Sequence, residues 1–165
     1  MRGPLHRRRF LQLAAGAGLA ALPFTARAGE EYEAVVVMCS DPRVWRVTTD
    51  YVQSRELAGY RRFPIDGGAI GLVAEQYKNA NQEFWEELAA AVTWNQTSRI
   101  IALNHRDCGA AKIAYGLAKT TDKLIETEMH RYALKEFRKQ VAERHADLEV
   151  EIGLMALDGK VQILK

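Results

Sequence analysis

Apolar positions along the chain fall into short runs separated by longer amphipathic stretches. Glu33 to Cys39 reads EAVVVMC, and Arg99 to Asn104 reads RIIALN. Both are brief and rich in β-branched residues, the pattern of strands buried on two faces. Between them, Pro42 interrupts the chain and Val44 to Leu57 has a helical rhythm. Arg62 to Ile65 predicts a second short strand, ended by Asp66-Gly67-Gly68. Phe84, Leu88, Ala91 and Val92 recur at helical spacing and predict a helix over 82–96, with Asn81 as its cap. Gly109 to Gly116 predicts another helical start. Ile125, Met129, Tyr132, Ala133, Phe137 and Val141 fit one face of a long helix over about 122–144. His130 and His145 lie on that helix and are expected at its solvent side or ends. Leu148 to Leu157 predicts a strand, Asp158-Gly159 a tight hairpin turn, and Val161 to Leu164 the returning strand. Strands alternating with helices predict an α/β domain, with about four parallel strands, an antiparallel edge strand and helices on its flanks. Trp45, Trp85 and Trp94 are expected in the core or at an interface.

The first 28 residues depart from this pattern. They hold Arg2, Arg7, Arg8, Arg9 and Arg27 and no acid, then an apolar stretch from Phe10 to Phe24, then Ala26-Arg27-Ala28. A basic start, a short apolar middle and an A-x-A end describe an export signal. Arg7-Arg8-Arg9-Phe10-Leu11 resembles the twin-arginine signal, which implies a periplasmic protein processed near residue 28 and a domain over 29–165. The apolar stretch is short for a membrane span, so no stable anchor is expected after processing. The charge of the whole 165-residue chain is +2, but without these residues it is −3, and no basic footprint for nucleic acid remains. Hydrophobic residues make up 48% and charged residues 27%, which argues against wholesale disorder.

Two cysteines are too few for a disulfide scaffold. Their placement matters more. Cys39-Ser40-Asp41-Pro42-Arg43 follows the first strand, and His105-Arg106-Asp107-Cys108-Gly109 follows the RIIALN strand. In parallel sheets ligands bind beyond the strand C-termini. A His three residues before a Cys can face one ion from a single turn, and Cys39 would add a third donor from a neighbouring strand end. Two thiolates and an imidazole with an open fourth position suit catalytic zinc. Plain buried thiols and a Cys39–Cys108 disulfide are the competing readings. Trp45 and Ala114 stand where a cysteine phosphatase needs arginine, Asp66 breaks the dinucleotide glycine pattern before Gly67, and neither G-x-S-x-G nor a P-loop occurs.

Cys-x-Asp-x-Arg followed about 66 residues later by His-x-x-Cys-Gly resembles the β-class carbonic anhydrases, and the likeness runs over residues 33–165 to the closing LMALDGKVQIL hairpin. The resemblance implies one zinc per subunit on Cys39, His105 and Cys108. Asp41 and Arg43 would be the catalytic dyad that orients the attacking water in the hydration of CO2 to bicarbonate. It also implies a homodimer or higher homo-oligomer. Hydrolysis of COS or CS2 on the same scaffold, or non-catalytic binding of zinc or an anion, are the alternatives. Where the family has Arg-Asn-Ala-Gly, this chain has Pro64-Ile65-Asp66-Gly67-Gly68-Ala69, which changes the charge of the pocket.

Overall fold

The computed structural model describes residues 31–165, with side chains throughout except at 78–80. The expected export signal over 1–28 lies outside the described residues. The elements are β1 (Ala34–Cys39), α1 (Pro42–Gln53), β2 (Tyr60–Ile65), α2 (Ala69–Val73), a 3-10 helix (Glu75–Ala80) and α3 (Gln82–Asn95). They continue with β3 (Arg99–His105), α4 (Gly109–Tyr115), α5 (Leu117–Thr121), α6 (Lys123–Arg144), β4 (Glu149–Met155) and β5 (Val161–Leu164). The five strands form one sheet in the order β2-β1-β3-β4-β5, parallel except for the β4–β5 hairpin. This is the architecture the alternation of elements predicts.

Every residue of β1 is buried, and so are six of the seven in β3. Their unbroken Val/Ile runs follow from that: a strand covered on both faces has no solvent side on which to place polar residues. Val35, Val37, Ile100, Ala102 and Ile152 meet Leu88 of α3 and Leu134, Phe137 and Val141 of α6 on one face. Ala34, Val36, Ile101 and Leu103 meet Val52 of α1 on the other. With two covered faces, the open edge of the sheet is its C-terminal rim, where β1 and β3 deliver Cys39 and His105 side by side.

Several local expectations change. Asn81 precedes α3 but makes no capping bond; its amide donates to the Leu72 carbonyl at 2.8 Å. Trp94 is 71% exposed and Trp45 44%, so neither is a core residue, while Trp85 stacks on Phe137. On α6 the inward face is Ala133, Leu134, Phe137 and Val141, whereas Ile125 and Tyr132 face outward. The helix carries two apolar stripes, and a single spacing rule merges them.

Candidate metal centre

β1 and β3 pair in parallel, with Met38 beside Leu103, so their C-terminal residues reach the same rim. Asp107 adopts φ +57°, a left-handed turn that folds the chain back after His105 and brings Cys108 to the start of α4. One potential ligand atom from each of Cys39, His105 and Cys108 lies within 4.8 Å of the others, and all three residues are buried. Both cysteines are free thiols. The Nδ1 of His105 lies 2.9 Å from the Arg106 carbonyl. A carbonyl only accepts, so Nδ1 carries the hydrogen and Nε2 keeps its lone pair. That Nε2 is buried and has no hydrogen-bond partner. An imidazole fixed through one nitrogen with the other turned bare into a thiol pair is the arrangement of a metal-binding histidine.

The sulfurs point the same way. The Cys39 thiol is brought down to about 4, first by a hydrogen bond from Cys108 and, against the cost of burial, by the Asp41 and Gly67 backbone N–H groups. Cys108 is pushed up, first by the bond to Cys39 and then by burial. The pair therefore keeps one proton between two sulfurs. Holding both as thiolates takes a cation between them, and the donor set of two sulfurs and one nitrogen fits zinc.

Asp41 is the N-cap of α1, with Pro42 at the first helical position. Its carboxylate accepts the Arg43 backbone N–H at 2.9 Å, and the Arg43 side chain curls back with Nη2 2.7 Å from Oδ2 and Nε 3.1 Å from both oxygens. The Asp-x-Arg spacing is thus a cap followed by its own guanidinium clamp. The bonds from Arg43 hold the Asp41 carboxyl down to about 2 despite some burial. Oδ2 lies 3.9 Å from the bare Nε2 of His105, so the carboxylate borders the cluster.

A carbonic anhydrase from Streptococcus mutans superimposes with a TM-score of 0.54 at 16% identity, covering 98% of this chain and all of the other. A chain from the crystal structures of two tetrameric β-carbonic anhydrases of the filamentous ascomycete Sordaria macrospora gives a TM-score of 0.53 at 17% identity, covering 95% of this chain and 94% of the other. The fold is that of the β-carbonic anhydrases. In sequence, an uncharacterized protein of Rickettsia bellii is 27% identical over 133 residues, 80% of this chain and 81% of its own length. No protein-family model matches the chain.

Around the three-residue cluster, this version of the β-carbonic anhydrase fold has supports that the two short segments do not reveal. Arg43 also donates to Asp107, through Nη1 to Oδ2 at 2.7 Å and Nη2 to the carbonyl at 3.0 Å. Asp107 is paired in addition with Lys112, and Lys112 first and Arg43 second hold its carboxyl below the usual range. The guanidinium thereby ties the end of β1 to the turn after β3. Glu126 of α6, 5% exposed, clamps the same turn from behind. It accepts the Asp107 N–H at 2.7 Å and the Arg106 guanidinium at 2.8 Å. Glu126→Ala leaves that N–H without an acceptor and takes the ion pair from the half-buried Arg106, which keeps only Thr127 Oγ1 and the Lys123 carbonyl. Zinc affinity should fall roughly 10- to 100-fold, the usual cost of losing an outer-shell partner, and stability by about 2 kcal/mol. Competition with a chelating dye and urea denaturation check the two; an unchanged zinc affinity would refute the clamp.

His130 corrects an expectation. It is fully buried, not at the solvent side of α6. Its Nδ1 accepts from the Asn104 amide at 3.2 Å, and burial brings its imidazole down to about 4. Asn104 Oδ1 in turn accepts the Ala69 N–H at 2.9 Å, and a Cβ on Gly68 (φ +58°) would come within 2.8 Å of that oxygen. This pins the Asp66–Ala69 loop, whose Gly67 N–H donates to Cys39 Sγ at 3.3 Å. His145 is the helix C-cap, at an end as expected.

A cavity of about 430 Å³ reaches the cluster at Cys39, its wall also including Ser40, Asp41, Asp66, Tyr77 and Ile113. The Ser40 hydroxyl donates to the Asp66 carboxylate. The residue that departs from the family pattern therefore stands in the wall of the site.

Proposed function

We propose that this protein is a zinc-dependent carbonic anhydrase that interconverts CO2 and bicarbonate. The observation that carries the reading is the buried Cys39–His105–Cys108 cluster with the Asp41–Arg43 pair on its border. Cys39 and Cys108 sulfurs and His105 Nε2 would hold the ion. Zinc bound there supplies the Lewis acidity that brings a water's pKa from 15.7 to about 7, although two thiolates blunt the effect. Asp41 Oδ2 accepts a hydrogen bond from the attacking water and so turns an oxygen lone pair toward the carbon of CO2. Arg43 keeps that carboxylate ionised and stationary, and its second pair of bonds, to Asp107, stops the guanidinium from swinging away. Ala110 and Ile113, also in the cavity wall, offer apolar surface to a molecule with no charge.

Metal analysis followed by stopped-flow CO2 hydration near pH 8 tests the proposal. One zinc per chain and a rate well above buffer are expected. Zinc without hydration would refute it, and turnover of COS or CS2 alone would reassign the substrate.

The assembly is proposed to be a homodimer or larger. Ile113, Leu117, Leu124 and Tyr132 of α4–α6 are each more than 60% exposed, apolar side chains that a contact between subunits would cover. The tetrameric Sordaria proteins on this fold support the same reading.

Export to the periplasm by the twin-arginine route is likewise proposed, with residues 29–165 as the working domain. That route carries folded proteins with cofactors in place, which would protect two buried thiols from oxidative pairing. A double Arg7→Lys, Arg8→Lys variant should remain in the cytoplasm on fractionation; export at the unaltered level would refute the assignment.

A further inference from the structure

The charges around the cavity do not balance, and the imbalance has one source. Arg43 faces Asp41 and Asp107, and Lys112 faces Asp107 again. Two basic groups offset two carboxylates, so this chain of ion pairs is neutral. Two thiolates would likewise cancel a divalent ion. Asp66 stands outside both sets: its side chain receives the Ser40 hydroxyl, and no described basic residue pairs with it. Among the described residues, none lining the cavity is basic, while Asp41 and Asp66 both line it. Asp66 is also held in place. The Asn104–Ala69 bond and the Gly67 N–H to Cys39 fix the loop on its C-terminal side, and Ser40 fixes the carboxylate.

We infer that Asp66 makes the cavity selective against anions, so that the site takes a small uncharged substrate and expels a negatively charged product. This rests on the proposed reaction at the same site and adds the charge class of what enters and leaves. A unit charge a few ångströms from an anion in a partly wet cavity changes its affinity by about tenfold. In the hydration direction Asp66 hastens the departure of bicarbonate. In the reverse direction it raises the bicarbonate concentration needed, and the overall equilibrium is untouched.

The test measures ligand binding rather than turnover. The full-length chain is loaded with cobalt(II), whose visible absorption reports ligands entering the site, and is titrated with thiocyanate, an anion, and with imidazole, which is neutral. Asp66→Asn should bind thiocyanate about tenfold more tightly than the parent, with imidazole affinity unchanged within about twofold, and the gain should shrink in 1 M salt. Asp66→Ser should behave alike, which guards against a folding defect peculiar to one variant. Equal thiocyanate affinity in parent and both variants, or a parallel gain for imidazole, overturns the inference. Anion discrimination without CO2 hydration would overturn the proposed reaction and leave the role of Asp66 standing. Failure to take up cobalt would overturn both.

Discussion

Cys39→Ser is expected to lose zinc and activity together. Cys39 contributes one of three side-chain donors, and a serine hydroxyl at this buried position neither ionises near neutral pH nor matches the softness of a thiolate. Structural zinc sites hold the ion with about 10–16 kcal/mol over four ligands, so one ligand is worth roughly 3–4 kcal/mol, on the order of 10²- to 10³-fold in affinity. Zinc content after dialysis should fall from about one per chain to a small fraction of that, and hydration to the buffer rate. The exchange of sulfur for oxygen is small, so the far-ultraviolet circular dichroism of the α/β domain should persist. Retention of a full equivalent of zinc would remove Cys39 from the ligand set.

Asp41→Asn has the second-largest expected effect, of a different kind. Asparagine is as good an N-cap as aspartate, so α1 should still begin at Pro42 and the fold should hold. What the amide loses is the charge and one acceptor. Half of its fork would face Arg43 with an N–H group against a donor, and the oxygen that should accept the water's hydrogen bond is no longer an anion. Loss of a positioned proton acceptor costs about 10²- to 10⁴-fold. Hydration by Asp41→Asn should fall by that factor with zinc retained, as stopped-flow and metal analysis on one preparation would show. Undiminished hydration would mean that Asp41 serves as a cap and nothing more.

These two residues, and His105 and Cys108 with them, were legible in the sequence because strand ends and short spacings are local information. The Val-rich run before Cys39 and the Ile-rich run before His105 mark two buried strands, and parallel strands place their ends on one rim. The supporting residues were not legible in that way. Glu126 meets Asp107 across 19 positions and Arg43 meets Asp107 across 64; nothing in either neighbourhood announces the partner. His130 was misplaced because polar residues on a helix are read as outward. A signal did exist: extending the Ala133–Phe137–Val141 stripe backward by one and two turns lands on His130 and Glu126. Polar side chains that continue an apolar stripe are candidates for buried work. Asp66 could be singled out by sequence, but only the Ser40 bond and the shared loop with Gly67 place it in the wall of the cavity.

The order of strands carries a consequence for how the site comes into being. β1 lies between β2 and β3, and the Cys39 and His105 that these two strands bring together are separated in the chain by all of α1, β2, α2 and α3. The consecutive strands β1 and β2, a parallel pair joined by the α1 crossover, can pair first, but the three side chains meet only when β3 docks on the other side of β1, a more distant contact that loop closure makes slow. The turn bearing His105 and Cys108 then waits on α6, which supplies Glu126. On the growing chain, most of the domain must therefore leave the ribosome before the cluster can close. Until then Cys39 is a lone thiol, and the compartment in which folding finishes decides what it meets first.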